Sequence, residues 1–266
     1  MGPDVGDEYI PCIRSGDIRR VRAVIAYDGT HYSGFQRQVN APTVQGALEA
    51  ALAQVTQQAA AGDKRPTVLA AGRTDAGVHA AGQVIAFDTA WRHELSDLWR
   101  ALNAVLPDDI AVLKMEEAAA DFHPRYDARS RWYRYTVYNA PVRSPLARRY
   151  RLHVPAPLDV AAMQRAAQAL LGEHDFAAFG RSWRGRCTVR RVLTAEWSGE
   201  PTCLTFDIEA NAFLYRMVRS IVGTVLQVGR GDVSLEQFEA VLASRDRSQA
   251  GPPVAPCGLC LMEVKY

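Results

Sequence analysis

Apolar and polar positions follow two rhythms along this chain. VRAVIAY, residues 21–27, is a run of strand length that stops at the turn pair Asp28-Gly29. From Thr43 the rhythm changes: Val44, Ala47, Leu48, Ala51, Leu52 and Val55 recur at helical spacing, with Thr43 where an N-cap belongs. TVLAA and QVIAF are strand-length runs with β-branched members, and between them lies a glycine-rich loop. A helix over Ser96 to Val105 and a strand IAVLKM over 110–115 complete the order β-α-β-β-α-β.

The second half repeats that order without repeating the residues. SRWYRYTVYN predicts a strand and LDVAAMQRAAQALLG a helix, and TVRRVLTAEWS and CLTFDIEA predict a hairpin across Gly199-Glu200-Pro201. A long helix over Phe213 to Val228, a short one over Leu235 to Ala243 and a last strand LCLMEVKY follow. Two such units predict an α+β protein of duplicated ferredoxin-like or RNA-recognition-like architecture. The expected division is a loose tail over 1–19, a first domain over 20–116 and a second over 117–266, bridged by the segment 116–127.

The chain has 266 residues, 48% of them apolar, enough for one large or two ordinary cores. Its most apolar helical stretch, FLYRMVRSIVGTVLQVG, carries Arg216 and Arg219, so no membrane span is expected. The N-terminal MGPDVGDEYIPCIRSGD lacks an apolar signal core, which predicts a cytoplasmic location. Five cysteines, at 12, 187, 203, 257 and 260, do not form an extracellular disulfide framework. Cys257-Gly-Leu-Cys260 has no second ligand pair, so reduced thiols are expected there and no metal.

A formal net charge of +2 says little, but its distribution says more. Between Phe122 and Arg151 arginines stand at 125, 129, 131, 134, 143, 148, 149 and 151 against the single acid Asp127. A second cluster, RSWRGRCTVRR, holds Arg181, Arg184, Arg186, Arg190 and Arg191 with no acid. Tyr126, Trp132, Tyr133, Tyr135, Tyr138 and Trp183 are interleaved. A solvated charged face would account for one such cluster. Two of them, rich in a side chain whose planar fork binds two oxygens at once, point to a polyanion.

Three places could carry chemistry. The loop AAGRTDAGVHAAGQ, residues 70–83, sets Asp75 among glycines 72, 77 and 82, either as the closure of an Asx turn or as a reactive carboxylate in a small-residue pocket. Strand 130–138 places Arg131, Tyr133, Tyr135 and Val137 on one face, with Ser130, Trp132, Arg134, Thr136 and Tyr138 on the other. In the helix 213–228, periodicity makes Arg219 a solvent-facing arginine opposite a broad apolar stripe. Gly223, one turn on, weakens a helix by about 1 kcal/mol relative to Ala and hints at a close neighbour on that face.

LAAGRTDAGVHAAGQVIAF closely resembles the catalytic-loop signature of the tRNA pseudouridine synthase A family, which modifies the anticodon stem-loop. YDGTHYSGFQRQ, TVQGALEAAL, LNAVLPDDIAV, DFHPRYDARSRWYRY, LLGEHDFAAF, NAFLYRMVRSIVGTVLQVGRG and AGPPVAPCGL resemble further family segments in family order, from Val21 to Tyr266. Trp132 and the VAPC run depart from the usual family residues.

The resemblance implies a pseudouridine synthase fold: a mixed, mainly antiparallel sheet built from two ferredoxin-like units with a cleft between them. It implies conversion of uridine to pseudouridine at tRNA positions 38, 39 and 40, with tRNA as partner, a homodimer and no cofactor. It makes Asp75 the catalytic aspartate, Tyr133 the tyrosine that contacts the base, Arg219 the basic partner of the aspartate and Arg73 the arginine that helps draw out the nucleotide. Arg131, Arg181, Arg184 and Arg186 are the expected RNA contacts. The rival readings are a non-catalytic RNA-binding protein with the same duplicated units and a uridine isomerase acting on ribosomal RNA. His79 and His174, each beside a turn former, are expected to be satisfied structural histidines.

Overall fold

The computed structural model describes residues 18–56, 66–182, 185 and 187–266. The expected tail, and with it Cys12, lies almost wholly outside these, as do Trp183, Arg184 and Arg186. The first half runs β1 (Arg19–Tyr27), α1 (Val44–Val55), β2 (Leu69–Ala70), β3 (His79–Thr89), α2 (Leu95–Val105) and β4 (Ile110–Glu117). The second runs β5 (Ser130–Asn139), β6 (Leu152–Val154), α3 (Val160–Gln168), β7 (Gly172–Asp175), β8 (Val189–Glu200), β9 (Cys203–Ala210), α4 (Met217–Arg230), α5 (Leu235–Ser244) and β10 (Leu259–Lys265).

Capping chemistry sets several of these bounds. The Thr43 side chain accepts from the Gly46 N–H to start α1, and Asp159 does the same for Ala162 at α3. Ser234 and Gln237 close a reciprocal capping box on α5. The helix expected from Phe213 starts instead at Met217, because Arg216 sits in the left-handed region at φ 62 and breaks the helical run there. The short strands β6 and β7 carry too few apolar residues to show a period in the sequence.

Among the described residues, all ten strands form one mainly antiparallel sheet in a mixed α+β fold. Its main path is β4-β1-β3-β10-β5-β9-β8-β7, with β2 beside β3 and β6 beside β5. β1 occupies one edge of β3 along its length, so β2 and β10 share the other. β2 takes the Ile85–Ala86 end, while β10 runs parallel to His79 and Ala80. The loop from β2 to β3 therefore emerges where the two halves of the sheet meet.

Each half has its own core. In the first, Val21, Ile25, Leu48, Leu52, Ile85, Phe87 and Leu98 are 3% exposed or less. In the second, Val137, Met163, Phe176, Phe206, Ile221 and Phe238 are fully buried. Side chains of this kind each stabilise by about 1.5–3 kcal/mol on burial, so either cluster can hold its half together. Tyr133 packs against both clusters and marks the seam.

Candidate active site

The loop 71–78 is short, and its backbone is tied down from several sides. Gln83, fully buried on β3, turns its amide back so that Oε1 accepts from the Gly72 N–H at 3.3 Å and Nε2 donates to the Gly72 carbonyl at 2.8 Å. The Ala71 carbonyl accepts from the Arg131 guanidinium at 3.1 Å. The Thr74 hydroxyl meets that of Tyr27 at 2.8 Å, and the Thr74 carbonyl accepts from the Phe35 N–H at 3.1 Å. Gly77 takes φ 75, and a Cβ there would lie 2.8 Å from Pro256 Cγ, so both its conformation and its space call for glycine.

Asp75 stands in the middle of this loop. No backbone N–H closes an Asx turn on its carboxylate among the described residues; its partner is Arg219, whose Nη1 donates to Oδ2 at 2.9 Å. The side chains are 18% and 12% exposed, so the pair faces a recess rather than open solvent. Arg219 is fixed in turn, because its Nε donates to the Val254 carbonyl at 2.7 Å and its own carbonyl accepts from the Val254 N–H.

The solvent-facing position expected for Arg219 is corrected by the segment 250–258, which roofs the polar side of α4. A Cβ on Gly223 would lie 2.2 Å from the Pro252 carbonyl oxygen, so the glycine admits this close neighbour. Thr224 accepts from the Gly251 N–H at 3.0 Å, which anchors the same segment further along the helix.

Tyr133 supplies a wall of the recess. Its ring packs edge-on against Phe213 at 5.1 Å, and its hydroxyl lies 3.7 Å from where a Cβ on Gly72 would stand. Among the described residues the hydroxyl has no hydrogen-bond partner, unlike those of Tyr27 and Tyr135, which bond Thr74 and the Ala255 carbonyl. Burial raises the Tyr133 phenol well above its ordinary range; Arg131 opposes this and the Asp75 carboxylate adds to it. The group is thus a neutral donor at physiological pH.

The expected RNA-contacting arginines divide. Arg73 is exposed beside Asp75, and Arg181 is exposed on the second half, its backbone bridged to Tyr215. Arg184 and Arg186 lie outside the described residues. Arg131 is only 8% exposed, and its two terminal nitrogens donate to the carbonyls of Ala128, Asn211, Ala71 and Arg125. With those donors engaged inside the protein, it braces the loop that carries Asp75 and is not placed to meet a phosphate. Arg134 turns to the opposite face of β5 and pairs with Asp207, which also accepts from the Trp132 indole at 2.7 Å.

The two histidines differ. His79 is buried, accepts from the Gly29 N–H at Nδ1, lies 3.0 Å from Asp28 and donates from Nε2 to the Arg149 carbonyl at 2.9 Å. His174 bonds the nearby Leu171 carbonyl and meets the Phe176 ring edge-on. Cys257 and Cys260 are free thiols, and burial pushes Cys260 up to about 11. Among the described residues no group of three or more His, Cys, Asp or Glu is placed to hold a metal, and no helix is long and apolar enough to cross a membrane.

Sequence reasoning missed Gln83, Tyr27 and the junction in which Tyr150 donates to Asp28 at 2.8 Å. The available signal was a glutamine inside an apolar strand run, directly after the glycine loop.

Asp75, ion-paired with Arg219 and flanked by Tyr133, thus sits at the seam of the mainly antiparallel sheet. The sequence model of the tRNA pseudouridine synthase family matches residues 23–127 and 166–266. A tRNA pseudouridine synthase A of Pelobacter propionicus is 44% identical over 250 residues, covering 94% of this chain and 100% of its own. Proteins of the same name from Chloroflexus aurantiacus and Moorella thermoacetica are 48% and 47% identical, covering 94% and 92% of this chain and 89% and 99% of their own. A solved dye-decolorizing protein from V. cholerae, 15% identical and covering 82% of this chain and 86% of its own, overlays with a TM-score of 0.20, too low for a shared fold. The chain belongs to the tRNA pseudouridine synthase family.

Proposed function

We propose that this enzyme converts uridine to pseudouridine in the anticodon stem-loop of tRNA, with Asp75 as the catalytic carboxylate, Arg219 as its partner and Tyr133 as the contact to the base. The observation that carries the reading is the 2.9 Å pair between Asp75 on the first half and Arg219 on the second. The strand order supports two ferredoxin-like units, because β4-β1-β3-β2 and β10-β5-β9-β8 follow the same sequence of places. In this reading the units span 20–116 and 117–266, and the site lies in the cleft between them.

The reaction breaks the bond from uracil N1 to ribose C1′, turns the base and forms a bond from C5 to C1′. N1 gains a proton and C5 loses one, so the step balances without an external reagent. Positive charge develops at the anomeric carbon as the glycosidic bond lengthens, and a carboxylate beside it is stabilising, as in retaining glycoside hydrolysis. Water must be excluded so that the freed base is not lost. A loop of small residues that closes on RNA does this.

Arg219 supplies the cation that a charged carboxylate needs in a water-poor site. Tyr133, held neutral, offers a flat wall for the uracil and a hydroxyl donor with no protein partner to lose. Arg73, exposed two residues before Asp75, is assigned the task of helping draw out the nucleotide, whose unstacking costs a few kcal/mol. Arg143, Arg148 and Arg149, all exposed, and Arg181 suit the phosphates of the stem. A second copy of the chain shares the tRNA, and the enzyme works in the cytoplasm without a cofactor.

The test is Asp75→Asn. It should abolish pseudouridine formation in a tRNA substrate, mapped by chemical labelling, while tRNA binding is retained. Unchanged modification would remove Asp75 from the chemistry.

A further inference from the structure

The chain from Phe213 to Arg219 continues the aromatic wall of the site outward. Phe213 packs on Tyr133, Leu214 turns into the second core at 6% exposure, and Tyr215 turns out with 54% of its surface exposed. A single apolar side chain on a surface needs no explanation. Tyr215 differs because it is held in place. Its backbone N–H donates to the Arg181 carbonyl at 3.1 Å, and its carbonyl accepts from the Arg181 N–H at 3.4 Å.

The next residue adds a cation. Arg216 is one of only two non-glycine residues at positive φ among those described, and its guanidinium carbon lies 4.9 Å from the centre of the Tyr215 ring. A left-handed arginine persists where its surroundings impose it, and such positions gather at functional sites. The Arg216 side chain is exposed and forms no ion pair among the described residues. Three residues on, Arg219 holds Asp75.

We infer that Tyr215 is a stacking platform for a nucleotide base that neighbours the extruded uridine, with Arg216 and Arg181 neutralising the phosphates on either side. The inference rests on the function proposed above. Arg216 lies over one face of the ring; a fixed, exposed aromatic ring accepts any base on its free face, while nearby cations attract the backbone. Such a contact is indifferent to sequence, which suits an enzyme that must hold RNAs of differing loop sequence. Tyr215 is a positioning residue here: it touches RNA but not the reacting atoms.

The experiment compares wild type, Tyr215→Ala, Tyr215→Phe and Arg181→Ala on an anticodon stem-loop RNA, measuring binding and multiple-turnover kinetics over a range of salt. Tyr215→Ala should raise Kd and KM roughly tenfold with kcat retained, and Tyr215→Phe should restore both, since stacking needs the ring and not the hydroxyl. The salt slope of binding should be unchanged in Tyr215→Ala and shallower by about one in Arg181→Ala. Equal affinity of Tyr215→Ala and wild type would overturn the platform, as would a Tyr215→Phe variant as weak as the alanine. A second readout keeps the ring intact: 2-aminopurine placed beside the target uridine, bound to the Asp75→Asn enzyme, should be quenched relative to the same complex with Tyr215→Ala. Equal fluorescence would again overturn it. If the wild type makes no pseudouridine at all, it is the functional reading that fails, and the binding and quenching data still judge the platform.

Discussion

The Arg219 guanidinium lies 2.9 Å from the Asp75 carboxylate, 144 positions earlier in the chain. Nothing local to either residue creates this pair. It exists because β3 and β10 join the two halves and the segment 250–258 presses α4 toward the loop.

Removing that arginine should be costly. Arg219→Ala leaves a carboxylate in a recess without its cation, and single-turnover pseudouridine formation should fall by about 100-fold or more. Arg219→Lys should recover little, since an ammonium cannot hold the Val254 carbonyl and the carboxylate with the same planar geometry. A lysine variant as active as wild type would show that charge alone matters.

Gln83 offers a test of loop positioning. Gln83→Leu strips both backbone bonds from Gly72 and should destabilise the fold by about 1–3 kcal/mol. Turnover should fall more than tRNA affinity, because the carboxylate shifts while the RNA-binding surface stays in place. Thermal denaturation and single-turnover assays together check this, and a fall in affinity alone would contradict it.

The arginines should separate into two behaviours. Arg148→Ala and Arg149→Ala should each reduce the slope of log affinity against log salt by about one, with stability nearly unchanged. Arg131→Ala should leave the slope unchanged and cost about 2 kcal/mol or more, since buried carbonyls lose their donors. Salt titrations and denaturant melts of the three variants provide the comparison.

A pH effect follows from Asp28. Partial burial pushes its carboxyl up, but bonds from the Thr30 hydroxyl and N–H and from Tyr150, with His79 alongside, hold it net below the usual range. A depressed folded value contributes stability above the unfolded value, about 3.9, and that contribution is lost as pH falls through the folded one. The thermal midpoint should drop on acidification below about pH 5, less steeply in Asp28→Asn than in wild type. Identical slopes would show that the junction does not titrate.

Much of this was legible in the sequence, and the exceptions share a cause. The Thr43 cap, the β8–β9 hairpin and the glycine loop around Asp75 depend on neighbours in the chain, and pattern reads such features well. Arg219 looked solvent-facing because helical periodicity cannot see Val254, 35 positions on, folding over the polar side. Arg131 looked like an RNA contact because its charge is visible in the sequence while the carbonyls that surround it are not. Gln83 was passed over because a lone amide in an apolar strand gains meaning only once Gly72 is seen opposite it.

The two-residue parallel junction between β3 and β10 also bears on how the protein comes to life. β10 leaves the ribosome after every other strand described, yet it fills the middle of the sheet. The helices and hairpins of either half can mature early, whereas the union that sets the guanidinium over its carboxylate must await this late arrival. A growing chain that lacks β10 therefore lacks the joint across which Arg219 meets Asp75.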